Sequence, residues 1–73
     1  MQHIATVTES NGIKTYSLDG VFIIRDIEDY THMAVFTNGD LRWVFPRKSA
    51  RKYTPKGLPA GTQYEGSYPV VAA

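Results

Sequence analysis

A mainly β domain, a single antiparallel sheet that stays half open or curls into a small barrel, is the fold class this 73-residue sequence predicts. Asn-Gly occurs twice, at Asn11-Gly12 and Asn38-Gly39, each time between runs that alternate apolar and polar residues. That is the strongest short-range signal for a hairpin closed by a two-residue type I′ turn, because both central residues need φ > 0, which Asn tolerates and Gly adopts without steric cost. Asp19-Gly20 adds a third tight turn directly before the most apolar run, Val21 to Ile27. The registers these turns impose agree with one another, and such consistency is evidence beyond each turn alone.

Taken in order, His3 to Glu9 reads as the first strand and Ile13 to Leu18 as the second. The turn at Asn11-Gly12 pairs Glu9 with Lys14, Val7 with Tyr16 and Ala5 with Leu18. One face is then apolar with an ion pair at the tip, and the other, Thr6, Thr8, Thr15 and Ser17, is hydroxylic. The turn at Asp19-Gly20 sets Leu18 against Val21 and Tyr16 against Ile23, so Val21–Ile27 becomes a central strand with apolar residues on both faces. Glu28-Asp29-Tyr30-Thr31 reverses the chain, which pairs Ile27 with His32 and Ile23 with Phe36. In the last hairpin the Asn38-Gly39 turn opposes Thr37 to Asp40, Phe36 to Leu41, Ala34 to Trp43 and His32 to Phe45.

These pairings make a five-stranded meander, twisted and half open or curled toward a small barrel. One face collects Ala5, Val7, Tyr16, Leu18, Val21, Ile23, Phe36, Leu41, Trp43 and Phe45 as the core. The opposite face carries Ile4, Ile13, Phe22, Ile24, Met33, Val35 and Val44, too apolar a set to leave wet without a reason. The organisation expected is one domain: a sheet over 1–46 and a basic, Pro/Gly-rich tail over 47–73, partly disordered or packed on the sheet. Arg47 to Tyr53 has room for one or two helical turns behind Pro46. Pro55, Gly57, Pro59 and Gly61 then interrupt regular structure, and Thr62–Glu65 and Tyr68–Val71 suit short edge strands, Pro69 confining the latter to an edge.

Composition narrows the function. The chain has no cysteine, hence no disulfide framework and no thiolate zinc site. No basic-plus-apolar leader follows Met1, and no apolar run approaches the ~20 residues of a membrane span. The expectation is a monomeric cytoplasmic protein. Net charge is +1, but residues 1–41 carry two cations against six acids and residues 42–73 carry six cations against one. An acidic front and a basic back point to a partner of negative charge, the alternative being a solvated loop that is merely basic.

Catalytic and metal chemistry find little support. His3 and His32 fall on strands far apart in the meander, with no cysteine to complete a ligand set. Asp26, Glu28 and Asp29 lack the spacing of a calcium loop and read as a charged turn that keeps an apolar strand soluble. There is no phosphate-cradling glycine loop and no nucleophile elbow, and a domain this small rarely encloses a pocket. The protein is expected to be no enzyme and to need no cofactor or metal.

The stretch that remains is Arg42 to Lys56. Arg42, Arg47, Lys48, Arg51, Lys52 and Lys56, interleaved with Trp43, Phe45 and Tyr53 and free of acids, have the make-up of a nucleic-acid surface. Arg42, Arg47, Lys48, Arg51, Lys52, Tyr53 and Lys56 are therefore the candidate partner-binding residues, with Arg47, Lys48, Arg51 and Lys52 steering and Tyr53 or the following tail anchoring. Against direct nucleic-acid binding stand the modest net charge and the assignment of Trp43 and Phe45 to the core face. The tail's other role would be intramolecular, covering Phe22, Ile24, Met33 and Val35.

In size and layout, a short cysteine-free chain with a small sheet and a basic tail, the protein resembles the regulators that some bacteriophages make against host RNA polymerase. The resemblance implies a non-enzymatic protein that binds polymerase in the host cytoplasm and alters initiation or termination. A small β-barrel nucleic-acid-binding protein is the alternative, and a structural subunit assembling by edge-strand pairing a second.

Overall fold

The computed structural model describes residues 3–73; Met1 and Gln2 of the expected sheet region lie outside the described residues. Six strands form one sheet: β1 (Ala5–Ser10), β2 (Ile13–Leu18), β3 (Phe22–Asp26), β4 (His32–Asn38), β5 (Leu41–Arg47) and β6 (Gln63–Ala72). Their order is β3-β2-β1-β6-β4-β5. The all-β class is as expected, whereas the count of five strands and the simple meander are not. The sixth strand comes from the tail and lies in the middle of the sheet.

The first hairpin follows its sequence. Asn11 and Gly12 take φ of 53° and 81°, and Glu9 opposes Lys14, Val7 Tyr16 and Ala5 Leu18. At the second turn Asp19 and Gly20 also take positive φ, and Val21 N–H donates to the Leu18 carbonyl at 3.0 Å. Val21, however, stays in the loop, and the ladder resumes with Leu18 opposite Phe22 and Tyr16 opposite Ile24. That one extra residue inverts the strand, since side chains alternate between faces. Phe22 and Ile24 turn inward, and Val21 and Ile23, expected in the core, are 73% and 53% exposed.

In the last hairpin the two loop residues are Gly39 and Asp40 rather than Asn38 and Gly39, with φ positive at Gly39 alone. Asn38 is held in the ladder opposite Leu41 because its side-chain Nδ2 donates to the Ala60 carbonyl (3.2 Å) and to Thr62 Oγ1 (3.3 Å). The pairs become Phe36–Trp43 and Ala34–Phe45. Each shifts by two residues from expectation, so the division into faces survives.

The expected pairing of Ile27 with His32 and Ile23 with Phe36 is absent among the described residues: β3 and β4 are not neighbours. The connection between them is latched instead to β2. Tyr16 Oη donates to the Glu28 carbonyl at 2.6 Å and accepts the Tyr30 N–H at 3.0 Å, and Tyr30 Oη donates to Asp26 at 2.8 Å. β4 pairs with β5 on one side and antiparallel with β6 on the other, while the last residues of β6 pair parallel with β1.

β6 carries two devices that fit it to this place. Tyr64 opposes Phe36 and Gly66 opposes Val35, which leaves Glu65 as the extra residue of a bulge. The bulge changes the facing of the strand, so Tyr64 points outward with Phe36 while Tyr68 points inward. Pro69 sits where β6 passes from β4 to β1. Val70 N–H bonds to Thr31 on the β4 side and Ala73 N–H to Val7 on the β1 side, so the Pro69 nitrogen faces β1 ahead of the Ala5–Val70 pair that begins that ladder. The missing N–H costs no ladder bond, and proline is tolerated in a central strand.

The sheet wraps so that Ala5, Tyr16, Leu18, Met33 and Val35 form the buried core, ringed by Val7, Phe22, Ile24, Tyr30, Val44, Tyr68 and Val70. Each fully buried large side chain here contributes about 1.5–3 kcal/mol. The two edge strands approach one another: the Arg42 guanidinium of β5 lies 5.8 Å from the Phe22 ring of β3, which brings the sheet close to a closed barrel. The core face is therefore the one expected to be the second face for β3, β4 and β5. Trp43 and Phe45 lie outside it.

Candidate binding surface

The outward face of β4, β5 and β6 carries its own aromatic layer. Phe36 is buried and makes ring contacts with Phe45 (5.7 Å) and Tyr64 (5.4 Å). The segment 48–62 runs outside the sheet and brings the Tyr53 ring edge-on to Phe45 at 6.0 Å. The expected helical turns after Pro46 are absent: Pro46 and Arg47 belong to β5, and residues 48–62 contain no helix. The tail residues Tyr68 and Val70 do pack against the core, beside Met33 and Val35.

Onto this layer the chain folds two of its cations. Arg47 stacks its guanidinium 3.9 Å from the Tyr53 ring centre, and Lys52 Nζ lies 5.6 Å from that of Tyr64. Such contacts contribute about 0.5–2 kcal/mol each and fix where the charge points. Lys48 Nζ pairs with Glu28 Oε2 at 2.9 Å, a mostly exposed bridge that holds the Lys48 ammonium above the usual lysine range. Arg51, Lys52 and Lys56 are exposed. Residues 42–62 hold six cations and no acid. Of the seven candidates, Arg47, Lys52 and Tyr53 share the aromatic face with Phe45 and Tyr64. Arg42 departs from them, facing Phe22 across the gap between the sheet edges.

Sequence reasoning missed a second polar cluster. His3, set aside as an isolated histidine, has a 4% exposed side chain and both ring nitrogens engaged by carboxylates. Nδ1 lies 2.5 Å from Asp19 Oδ2 and Nε2 lies 2.6 Å from Glu65 Oε1. Asp19 Oδ1 accepts the Ile4 N–H at 2.7 Å, and the Tyr68 ring stands edge-on to the imidazole at 4.9 Å. The hydrogen bond to Asp19, followed by that to Glu65, raises the His3 pKa above its ordinary value of 6.5 against an opposing effect of burial. The same bond, aided by the Ile4 N–H, holds Asp19 below 3.8. With each nitrogen facing a different carboxylate, the three groups tie the lead to β1, the β2–β3 turn and the β6 bulge together. His3 and Glu65 are 62 positions apart, so no local pattern could have announced the pair.

Among the described residues no helix is long and apolar enough to cross a membrane. No family model, curated protein or solved structure matches the chain.

Proposed function

We propose that this protein is a non-enzymatic regulator that docks on a large anionic partner through β5 and the segment 48–62, bacterial RNA polymerase being the named candidate. The observation that carries the reading is the acid-free run of six cations over residues 42–62, two of which, Arg47 and Lys52, lie over the tyrosine rings of the outward aromatic layer. Cations of this kind steer an acidic partner and set its orientation, while half-buried aromatic side chains beneath them supply anchoring area. Arg51, Lys52 and Lys56 provide the steering. Arg47 and Tyr53, locked against each other, provide the anchor.

A second reading, direct binding of single-stranded nucleic acid, is favoured by one specific observation. Trp43 and Phe45 lie on the outward face with the cations, and this removes the argument that they are core residues. Rings beside cations are what a base-stacking surface requires.

The experiment is binding of purified bacterial RNA polymerase, and separately of a short single-stranded oligonucleotide, to the native protein and to Arg47→Ala/Lys48→Ala/Arg51→Ala/Lys52→Ala. Polymerase binding lost in the variant supports the first reading. Oligonucleotide binding with a steep salt dependence supports the second. Equal binding of polymerase by both proteins overturns the basic-surface mechanism.

A further inference from the structure

Where β5 gives way to the segment 48–62, a cleft of about 310 Å³ opens, lined by Tyr30, Pro46, Arg47, Lys48 and Ser49. Two features of Arg47 stand out there. Its guanidinium carbon lies 3.9 Å from the Tyr53 ring centre, and its Nε is buried with no hydrogen-bond partner. A buried N–H on a charged group without an acceptor is costly, and native structures rarely leave one unless a ligand or water completes it. The next two residues of the chain, Lys48 and Ser49, line the same cleft, where Ser49 Oγ accepts the Arg51 N–H at 3.3 Å and keeps its own O–H to donate.

We propose that Arg47, Lys48 and Ser49 form a binding site for one phosphate group. The assignment rests on the reading of this surface as an anion-docking face and names the chemical group it takes. Arginine donates from Nε and one Nη in a fixed fork that matches two oxygens of an oxyanion. The Tyr53 ring already holds the guanidinium in place, and uncovering the occluded Nε toward the cleft is the rearrangement that binding requires. Lys48 and Ser49, which line the same cleft, carry the further donor groups. Three donor groups of this kind suit a tetrahedral oxyanion better than a planar carboxylate, which a single fork would saturate. Glu28 is the internal competitor, since it holds Lys48 at 2.9 Å, and Tyr30 Oη at the cleft already donates to Asp26. The phosphate comes either as the free ion or as a backbone phosphodiester of a nucleic acid.

The test is a titration of ¹⁵N-labelled protein with inorganic phosphate and, separately, with a short oligothymidylate, following the Arg47 Nε–Hε signal and the Ser49 amide. Saturable shifts at both are expected. Phosphate alone producing them identifies the free ion as the source, and the oligonucleotide producing them identifies the backbone. Arg47→Lys keeps the charge and loses the fork, and is expected to weaken binding about tenfold or more, the worth of one charge-assisted hydrogen bond. Should that variant unfold, Lys48→Ala/Ser49→Ala must weaken binding too. Glu28→Gln, which frees Lys48, is expected to tighten it several-fold. Non-saturating shifts spread over Arg51, Lys52 and Lys56, or undiminished binding by Arg47→Lys, would overturn the site. Arg51→Ala/Lys52→Ala/Lys56→Ala separates the two levels, because it spares the cleft. A normal phosphate titration without macromolecular binding by the native protein condemns the docking surface alone, and the converse condemns the cleft alone.

Discussion

His3 and Glu65, 62 positions apart in the chain, meet at 2.6 Å between Nε2 and Oε1. Asp19 takes the other ring nitrogen, so a single imidazole ties the lead to β1, the β2–β3 turn and the bulge of β6. In a sheet whose parallel β1–β6 pairing is short, this tie holds the two halves where the backbone holds them least.

The tie gives stability a pH profile. The folded-state pKa of His3 is raised above 6.5, so its contribution is complete below pH 6.5 and is lost as pH rises through the folded value. Asp19 is held below 3.8, so its contribution is complete above pH 3.8 and is lost as pH falls through the folded value. Thermal denaturation is expected to show a maximum of stability between these two limits. His3→Gln should lower the Tm by several degrees at pH 5.5 and flatten the decline on the alkaline side. A native Tm that stays level from pH 5.5 to 9 would contradict the tie.

Neighbouring isoleucines report which way β3 faces. Ile24 packs on the core, whereas Ile23 is 53% exposed. Ile24→Ala is expected to cost about 2 kcal/mol in urea denaturation, near the lower end for a buried aliphatic truncation. Ile23→Ala should stay within about 0.5 kcal/mol of the native protein. The reverse order would restore the facing expected from the Asp19-Gly20 turn.

Gly66 at the bulge has φ of +151°, and a Cβ there would stand 3.3 Å from Tyr68 Oη. Gly66→Ala is expected to destabilise by about 1–3 kcal/mol through backbone strain. The Tyr68 ring resonances should move with it. An unchanged denaturation midpoint would mean that the bulge is not formed as described.

Tyr16→Phe removes the hydroxyl that bridges the Glu28 carbonyl and the Tyr30 N–H. A loss of about 1–2 kcal/mol is expected, with faster hydrogen exchange at the Tyr30 amide. Exchange as slow as in the native protein would show that the loop has another anchor.

Much of this fold was legible where the chain folds on its neighbours. Asn11-Gly12 specified its turn, its register and the Glu9–Lys14 pair, because everything that decides them lies within ten residues. Val21 marks the limit: whether it begins the strand or remains in the turn depends on which face must meet Met33 and Val35, and they are distant in sequence. Asn38 was withdrawn from its turn by hydrogen bonds to Ala60 and Thr62, which the hairpin alone does not contain. β6 was the largest loss. A strand with Gly66 and Pro69 reads as an edge until the bulge and the handover from β4 to β1 are seen. For the binding surface, the charge of Arg42 to Lys56 was plain, but the aromatic layer beneath it was hidden by the inverted facing of β5.

Docking of an anionic partner through the segment 48–62 is tested most directly by binding of purified bacterial RNA polymerase and of oligothymidylate to the native protein and to Arg51→Ala/Lys52→Ala/Lys56→Ala, with Trp43 fluorescence as the probe. The native protein is expected to bind one of them with affinity that falls steeply with salt, and the variant, still folded at the assay temperature, to bind about tenfold or more weakly. Equal affinity for native and variant protein, or binding insensitive to salt, would contradict it.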